Sequence, residues 1–144
     1  MMGMASLAPH SSEARAGKRD QWTGRALSGL AILFLAMDAG GKLIAPEMMI
    51  ANSPPIGLPQ DVGLYRALGA ILAIATLLYA VPRTAFLGAI LLTGYLGGAI
   101  AMHVRVGSPL FSHTLFGAYL GLFAWAGLWL RDPRLRALTP LPVR

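Results

Sequence analysis

The stretch from Thr84 to Met102, TAFLGAILLTGYLGGAIAM, contains no charged residue and is bracketed by Arg83 at one end and by His103 and Arg105 at the other. An α-helix rises about 1.5 Å per residue, and a hydrocarbon core about 30 Å thick needs roughly 20 apolar residues to cross it. The run therefore has the length and the flanks of a membrane span. A chain of this size that must house such a segment is constrained before any other feature is weighed.

The rest of the sequence agrees. Across 144 residues, 56% are hydrophobic and only 12% are charged, whereas soluble domains carry about a quarter charged residues. The net charge of +6 sits mainly at the ends of apolar runs and not along one basic face, so topology explains it and nucleic acid does not. There is no cysteine, which excludes disulfides, thiol chemistry and cysteine-ligated clusters for this chain alone.

Four spans are expected, at about 26–44, 65–81, 84–102 and 112–130, within a transmembrane domain of 25–131. Residues 1–24 are polar and read as a flexible tail, with Trp22 at the interface, and 132–144 form a basic tail. A cleavable signal peptide is not expected, because the first apolar run is too long for one and contains Asp38 and Lys42. The connection from Ala45 to Leu64 carries Pro46, Pro54, Pro55 and Pro59, which rule out a regular helix throughout, although PEMMIANS suits one short helical turn after Pro46. Pro82 closes the second span.

Short loops and an even number of spans predict an all-α, up-down-up-down transmembrane four-helix bundle. Arg15, Lys18, Arg19, Arg25, Arg83, Arg131, Arg134, Arg136 and Arg144 fall on one side, while Lys42, Arg66 and Arg105 lie toward the other with Glu47 and Asp61. Cytoplasmic segments are enriched in Lys and Arg, so both termini are expected to be cytoplasmic. Small residues recur four apart at Gly94 and Gly98, Gly97 and Ala101, Gly117 and Gly121, Gly69 and Ala73, and Ala36 and Gly40. That spacing predicts close helix packing.

Candidate functional residues are those with ionisable or hydrogen-bonding groups at membrane depth, where they are rare and usually face the bundle interior. Asp38 and Lys42 are four apart and share a helical face. Counted from Arg25, they lie about 20 and 25 Å across, away from the midplane. His103 lies about 30 Å from Arg83 on the same count, with Arg105 just outside, and His113 opens the fourth span on that side. Asp38, Lys42, His103, Arg105 and His113 thus converge on one level, with Glu47 and Tyr65 near the same boundary and Tyr95 and Thr93 deeper on the third span, where their hydroxyls need partners.

The same residues have plainer readings: an ion pair that fixes helix register, interfacial histidines and a boundary arginine. His103 and His113 flank one short loop, which disfavours a haem held between them, and no ligand spacing demands a metal. No phosphate loop, nucleophile elbow or HExxH helix is present, so no catalytic residue is assigned and enzyme activity stays undecided.

The segments LAMDAGGK (Leu35–Lys42), PRT (Pro82–Thr84), LLTGYLGGA (Leu91–Ala99), HVRVG (His103–Gly107), SH (Ser112 and His113) and WAGLWLRDPRLRAL resemble the DoxX-like family of small four-helix bacterial membrane proteins. The resemblance covers roughly Ala26 to Pro140 and places Asp38 and Lys42 at the acidic and basic positions of the family's first helix. It implies a multi-pass protein of the bacterial inner membrane. The family's name comes from a subunit associated with a quinone-linked terminal oxidase, and relatives are linked to membrane redox or oxidative-stress partners; many short forms have no assigned reaction. The expectation is therefore an accessory subunit that binds a quinone-like amphipathic molecule, or docks a membrane redox protein, at the outer-leaflet end of the bundle. Two other classes stay open: a small transporter with Asp38 in a proton path, which would need a homo-oligomer for room, and a structural membrane partner in which the ion pair only fixes packing.

Overall fold

The computed structural model describes residues 9–138, with side chains from Gly17 onward, and every regular element in it is helical. The helices are α1 (Pro9–Ile44), α2 (Pro46–Asn52), α3 (Val62–Ala80), α4 (Ala85–Arg105), α5 (Phe116–Arg131) and α6 (Pro133–Leu138), with a π-helical turn at Leu110–Thr114 leading into α5. Four of these segments are long and apolar enough to cross a membrane: Gly17–Ile44, Val62–Ala80, Ala85–Arg105 and Leu110–Arg131. They match the four expected spans to within a few residues, except at the amino end. There the helix does not start near Ala26 but reaches back to Pro9, through most of the polar stretch that composition suggested as a tail. Adding a residue to an existing helix gains a hydrogen bond for each residue fixed, so a span can propagate into polar sequence that would not nucleate a helix alone. Residues 1–8 and the end of the basic tail, 139–144, lie outside the described residues.

The breaks between elements follow local chemistry. Ala45 separates α1 from α2, and Pro46 occupies the first turn of α2, where its missing N–H is no loss. Asp61 caps α3 by accepting a 2.6 Å hydrogen bond from Leu64 N. The turn between α3 and α4 is tied by Thr84, whose Oγ1 donates to Leu78 O at 2.8 Å. Pro133 opens α6 after Asp132, whose carboxylate accepts from Arg134 N at 2.9 Å.

α1 packs on α3 and α5, and α4 packs on the same two helices, while α1 and α4, like α3 and α5, do not approach within 8 Å between Cα atoms among the described residues. The order around the bundle is therefore α1, α3, α4, α5, the up-down-up-down arrangement in which each span neighbours the next and the fourth closes on the first.

The two ends of this bundle are built differently. At the end holding the α3–α4 turn, glycines allow backbone contact: a Cβ on Gly88 would sit 2.2 Å from Tyr79 N, one on Gly127 2.5 Å from Ser28 Oγ, and one on Gly24 2.8 Å from Gly127 O. Tyr79, with no exposure, fills the centre. Its hydroxyl donates to Ala124 O at 2.7 Å and lies 2.8 Å from Ser28 Oγ, so the single hydroxyl proton leaves Ser28 as donor in the second bond. Arg131 stacks over the Tyr79 ring, 4.9 Å from its centroid, and donates to Tyr79 O at 3.0 Å, satisfying a carbonyl at the end of α3. Tyr79 thereby links three helices, reaching α5 across the bundle. The apolar core around it is made of small and branched residues such as Ala31, Leu72, Ala75, Ala89 and Leu128.

Candidate functional site

The opposite half of the bundle is open. A partly enclosed cavity of about 940 Å³ lies among α1, α3, α4, the start of α5 and the connection that follows α2. Its wall is mostly apolar, and Asp38, Lys42, Tyr95, His103 and His113 all line it. Five of the six candidate residues thus meet in one space. Arg105 does not. It lies outside the cavity, where its Nη2 reaches Gly57 O at 3.5 Å.

Each side chain arrives by a local device. Asp38 and Lys42, one turn apart on α1, form an ion pair in which Lys42 Nζ donates to Asp38 Oδ1. Their exposures differ: the Lys42 side chain is 14% exposed and Asp38 39%. The Lys42 stem passes beside Gly69 of α3, where a Cβ would come within 2.8 Å of Lys42 Cβ. Lys42 is thus the wedged member of the pair and Asp38 the accessible one.

His103 sits in the last turn of α4 and shares a 3.0 Å hydrogen bond through Nδ1 with Ser108 Oγ. His113 lies in the π-helical turn, and its Nδ1 is 2.7 Å from Ser112 Oγ. The wider π turn is what carries His113 back toward α4: the two ring centroids are 6.0 Å apart, with planes inclined at 57°. π-helical turns are rare and are found frequently at functional sites. With both Nδ1 atoms engaged by serines, Nε2 is the nitrogen of each ring left for a ligand. Among the described residues, no three His, Asp or Glu side chains are grouped as a metal would require.

Deeper in the cavity stands Tyr95, within electrostatic reach of Asp38. Its hydroxyl has no hydrogen-bond partner among the described residues. Thr93, which also needed a partner, has two: it donates to Ala89 O at 2.8 Å and accepts from Trp125 Nε1 at 2.8 Å.

Two features escaped the sequence reading. Gly94, Gly97 and Gly98, expected to pack against another helix, have no atom within 4 Å of the position a Cβ would take, and Gly40 of the Ala36–Gly40 pair is equally free. Gly94 and Gly98 line the cavity. Their missing side chains leave space for something other than a helix. Of the expected packing glycines, Gly69 and Gly117 do meet neighbours, at 2.8 Å and 3.1 Å.

The second feature is the roof. Met49, Ser53, Ile56 and Leu58, from α2 and the proline-rich connection, also line the cavity. Gly57, at φ +75°, turns the chain there, and the Arg105 contact holds that turn against the end of α4. Arg105 is therefore placed to position the roof rather than to touch the cavity. Proline content marked this connection as irregular, but nothing in its residues says over which space it folds.

Fold and cavity together define a multi-pass helical membrane protein whose bundle is packed at one end and hollow at the other. A family model described as the DoxX-like family matches residues 26–127, more than half of the chain, and the protein belongs to that family. No curated protein and no solved structure matches the chain significantly.

Proposed function

We propose that this protein is an accessory membrane subunit that binds a quinone-like amphipathic molecule in the hollow half of its bundle. The observation that carries this reading is a mostly apolar cavity wall that also holds Asp38, Lys42, His103 and His113. A volume of about 940 Å³ falls within the range of small-molecule sites, which are apolar with a few placed polar groups. A quinone ring presents two carbonyl acceptors. Histidine Nε2–H groups and the Lys42 ammonium are donors suited to them, and Asp38, the more accessible member of its pair, is suited to exchange a proton with a reduced ring.

The same proposal sets the orientation. Lys18, Arg19, Arg25, Arg83, Arg131, Arg134 and Arg136 belong to the closed end, and Lys42, Arg66 and Arg105 to the open end. With cations favoured inside, both termini are cytoplasmic in a bacterial inner membrane and the cavity's polar end faces the outer leaflet. A redox enzyme sharing the quinone pool is the partner such a subunit would serve.

The test is titration of the purified protein in lipid nanodiscs with 2,3-dimethoxy-5,6-dimethyl-1,4-benzoquinone, a fully substituted ring with no long tail. Gly98→Leu places a side chain in the cavity where no atom stands within 4 Å of the new Cβ, and should weaken binding about tenfold or more, a loss of at least one 1.4 kcal/mol step. Asp38→Asn should weaken it as well. If the wild-type protein binds no more of this ring than empty nanodiscs do, the proposal is wrong.

A further inference from the structure

On the outside of the bundle, α3 and α4 are separated by a shallow groove of about 420 Å³ lined by Ile71, Ile74, Ala75, Ile90 and Leu91, together with Gly94 and Tyr95. Gly94 and Tyr95 also line the large cavity. The two spaces therefore share one glycine and one tyrosine as the boundary between them. Ile71, Ile74, Ile90 and Leu91 are 43–57% exposed, and at the middle of two spans such exposure is to hydrocarbon.

From this shared boundary we infer that the cavity's ligand carries a long apolar tail, which leaves the bundle sideways between α3 and α4 at Gly94 and Tyr95 and ends in the bilayer. The inference rests on the proposed function and names its ligand class: a lipid-resident molecule with a polar ring and a prenyl- or alkyl-type chain, taken from the membrane and not from water. Three observations fit together. Nothing within 4 Å of the Gly94 Cβ position obstructs a chain there. From His103 down to Gly94 is nine residues along α4, about 14 Å at the helical rise, so a head group at the histidines leaves its tail at mid-bilayer depth. The wall of the groove is wholly apolar apart from the Tyr95 hydroxyl, which suits a chain and offers nothing to a polar solute.

The experiment compares two probes in nanodiscs, the tail-less ring above and the same dimethoxy-methyl-benzoquinone ring bearing a decyl chain, with affinities referred to the concentration of each probe in the lipid. Wild type should bind the decyl probe at least as tightly as the tail-less one, because a chain with an open exit passes from lipid into the groove without loss. Ile74→Trp, which narrows the groove from a residue that does not line the cavity, should weaken the decyl probe about tenfold while leaving the tail-less probe's affinity as in wild type, and Gly94→Leu, at the junction, should weaken the decyl probe more than the tail-less one. An unchanged ratio of the two affinities in both variants, or a decyl probe that wild type binds more than about tenfold more weakly than the tail-less ring, overturns the lateral exit and leaves the cavity reading standing. Failure of wild type to bind the tail-less ring overturns both.

Discussion

Tyr79→Phe removes one oxygen atom from the point where α1, α3 and α5 meet. The hydroxyl makes a 2.7 Å bond to Ala124 O and a 2.8 Å bond to Ser28 Oγ, and both Tyr79 and Ser28 are buried, at 0% and 2% exposure. Side-chain hydrogen bonds within membrane bundles average about 0.6 kcal/mol each, while in soluble proteins a buried bond contributes about 0.5–1.5 kcal/mol and an abandoned polar group about 1–3 kcal/mol. Ala124 O is already engaged within α5, and Ser28 can turn to bond a carbonyl one turn back in α1, which relieves the larger penalty. The expected loss is therefore about 1–2 kcal/mol, with the ring's packing unchanged. Reversible unfolding in mixed dodecyl sulfate and maltoside micelles, followed by helical circular dichroism, measures it. A Ser28→Ala, Tyr79→Phe double-mutant cycle should return a coupling of about 0.5 kcal/mol or more. Quinone binding by the folded fraction should be unaltered, because Tyr79 lies in the closed half and does not line the cavity. A loss below about 0.3 kcal/mol with no coupling would refute the claim that this triad holds the closed end together.

Other outcomes follow from the same geometry. Gly88→Ala should destabilise the bundle more than alanine at any of Gly94, Gly97 or Gly98: its Cβ would meet Tyr79 N at 2.2 Å, while theirs meet nothing within 4 Å. The same unfolding assay ranks the four variants. Breaking the ion pair with Lys42→Met should cost about 2 kcal/mol, below the roughly 3–5 kcal/mol of a fully buried pair because Asp38 is partly open to the cavity. Asp38→Leu with Lys42→Met should regain most of that stability yet bind no quinone, whereas a purely structural pair would allow function to survive the double change. Arg105→Ala should leave the unfolding midpoint nearly unchanged but raise protease or hydrogen-exchange sensitivity over residues 53–60, since Arg105 reaches that connection at Gly57 O. Gly57→Ala should produce the same loosening more strongly, because φ +75° disfavours a side chain and the new Cβ would lie 2.4 Å from Arg105 Nη2.

Much of the architecture was legible in the residues. Four apolar runs, their flanking cations and the prolines between them determine four spans, their approximate ends and their alternation, because lipid leaves a backbone no hydrogen-bond partner but its own helix. That Asp38, Lys42, His103 and His113 lie toward the same end of the bundle was equally readable, since rise per residue is constant. Rotation about each helix axis was not. It depends on which neighbours meet, and so the sequence alone could not say that Asp38, Tyr95 and both histidines share one cavity while Arg105 turns away to Gly57.

The glycines make the same point. Gly88 and Gly94 are the same residue on the same helix, yet one is pressed against Tyr79 N and the other faces empty space. Small-residue spacing states only that close approach is permitted. Whether the permitted space is filled by a backbone or left hollow was decided by the tertiary structure, through the π turn before α5, the roof folded over from α2 and the Tyr79 triad that draws the helices together at one end only. Local composition set what crosses the membrane, and contacts between residues far apart in the chain set where the interior is solid and where it is open.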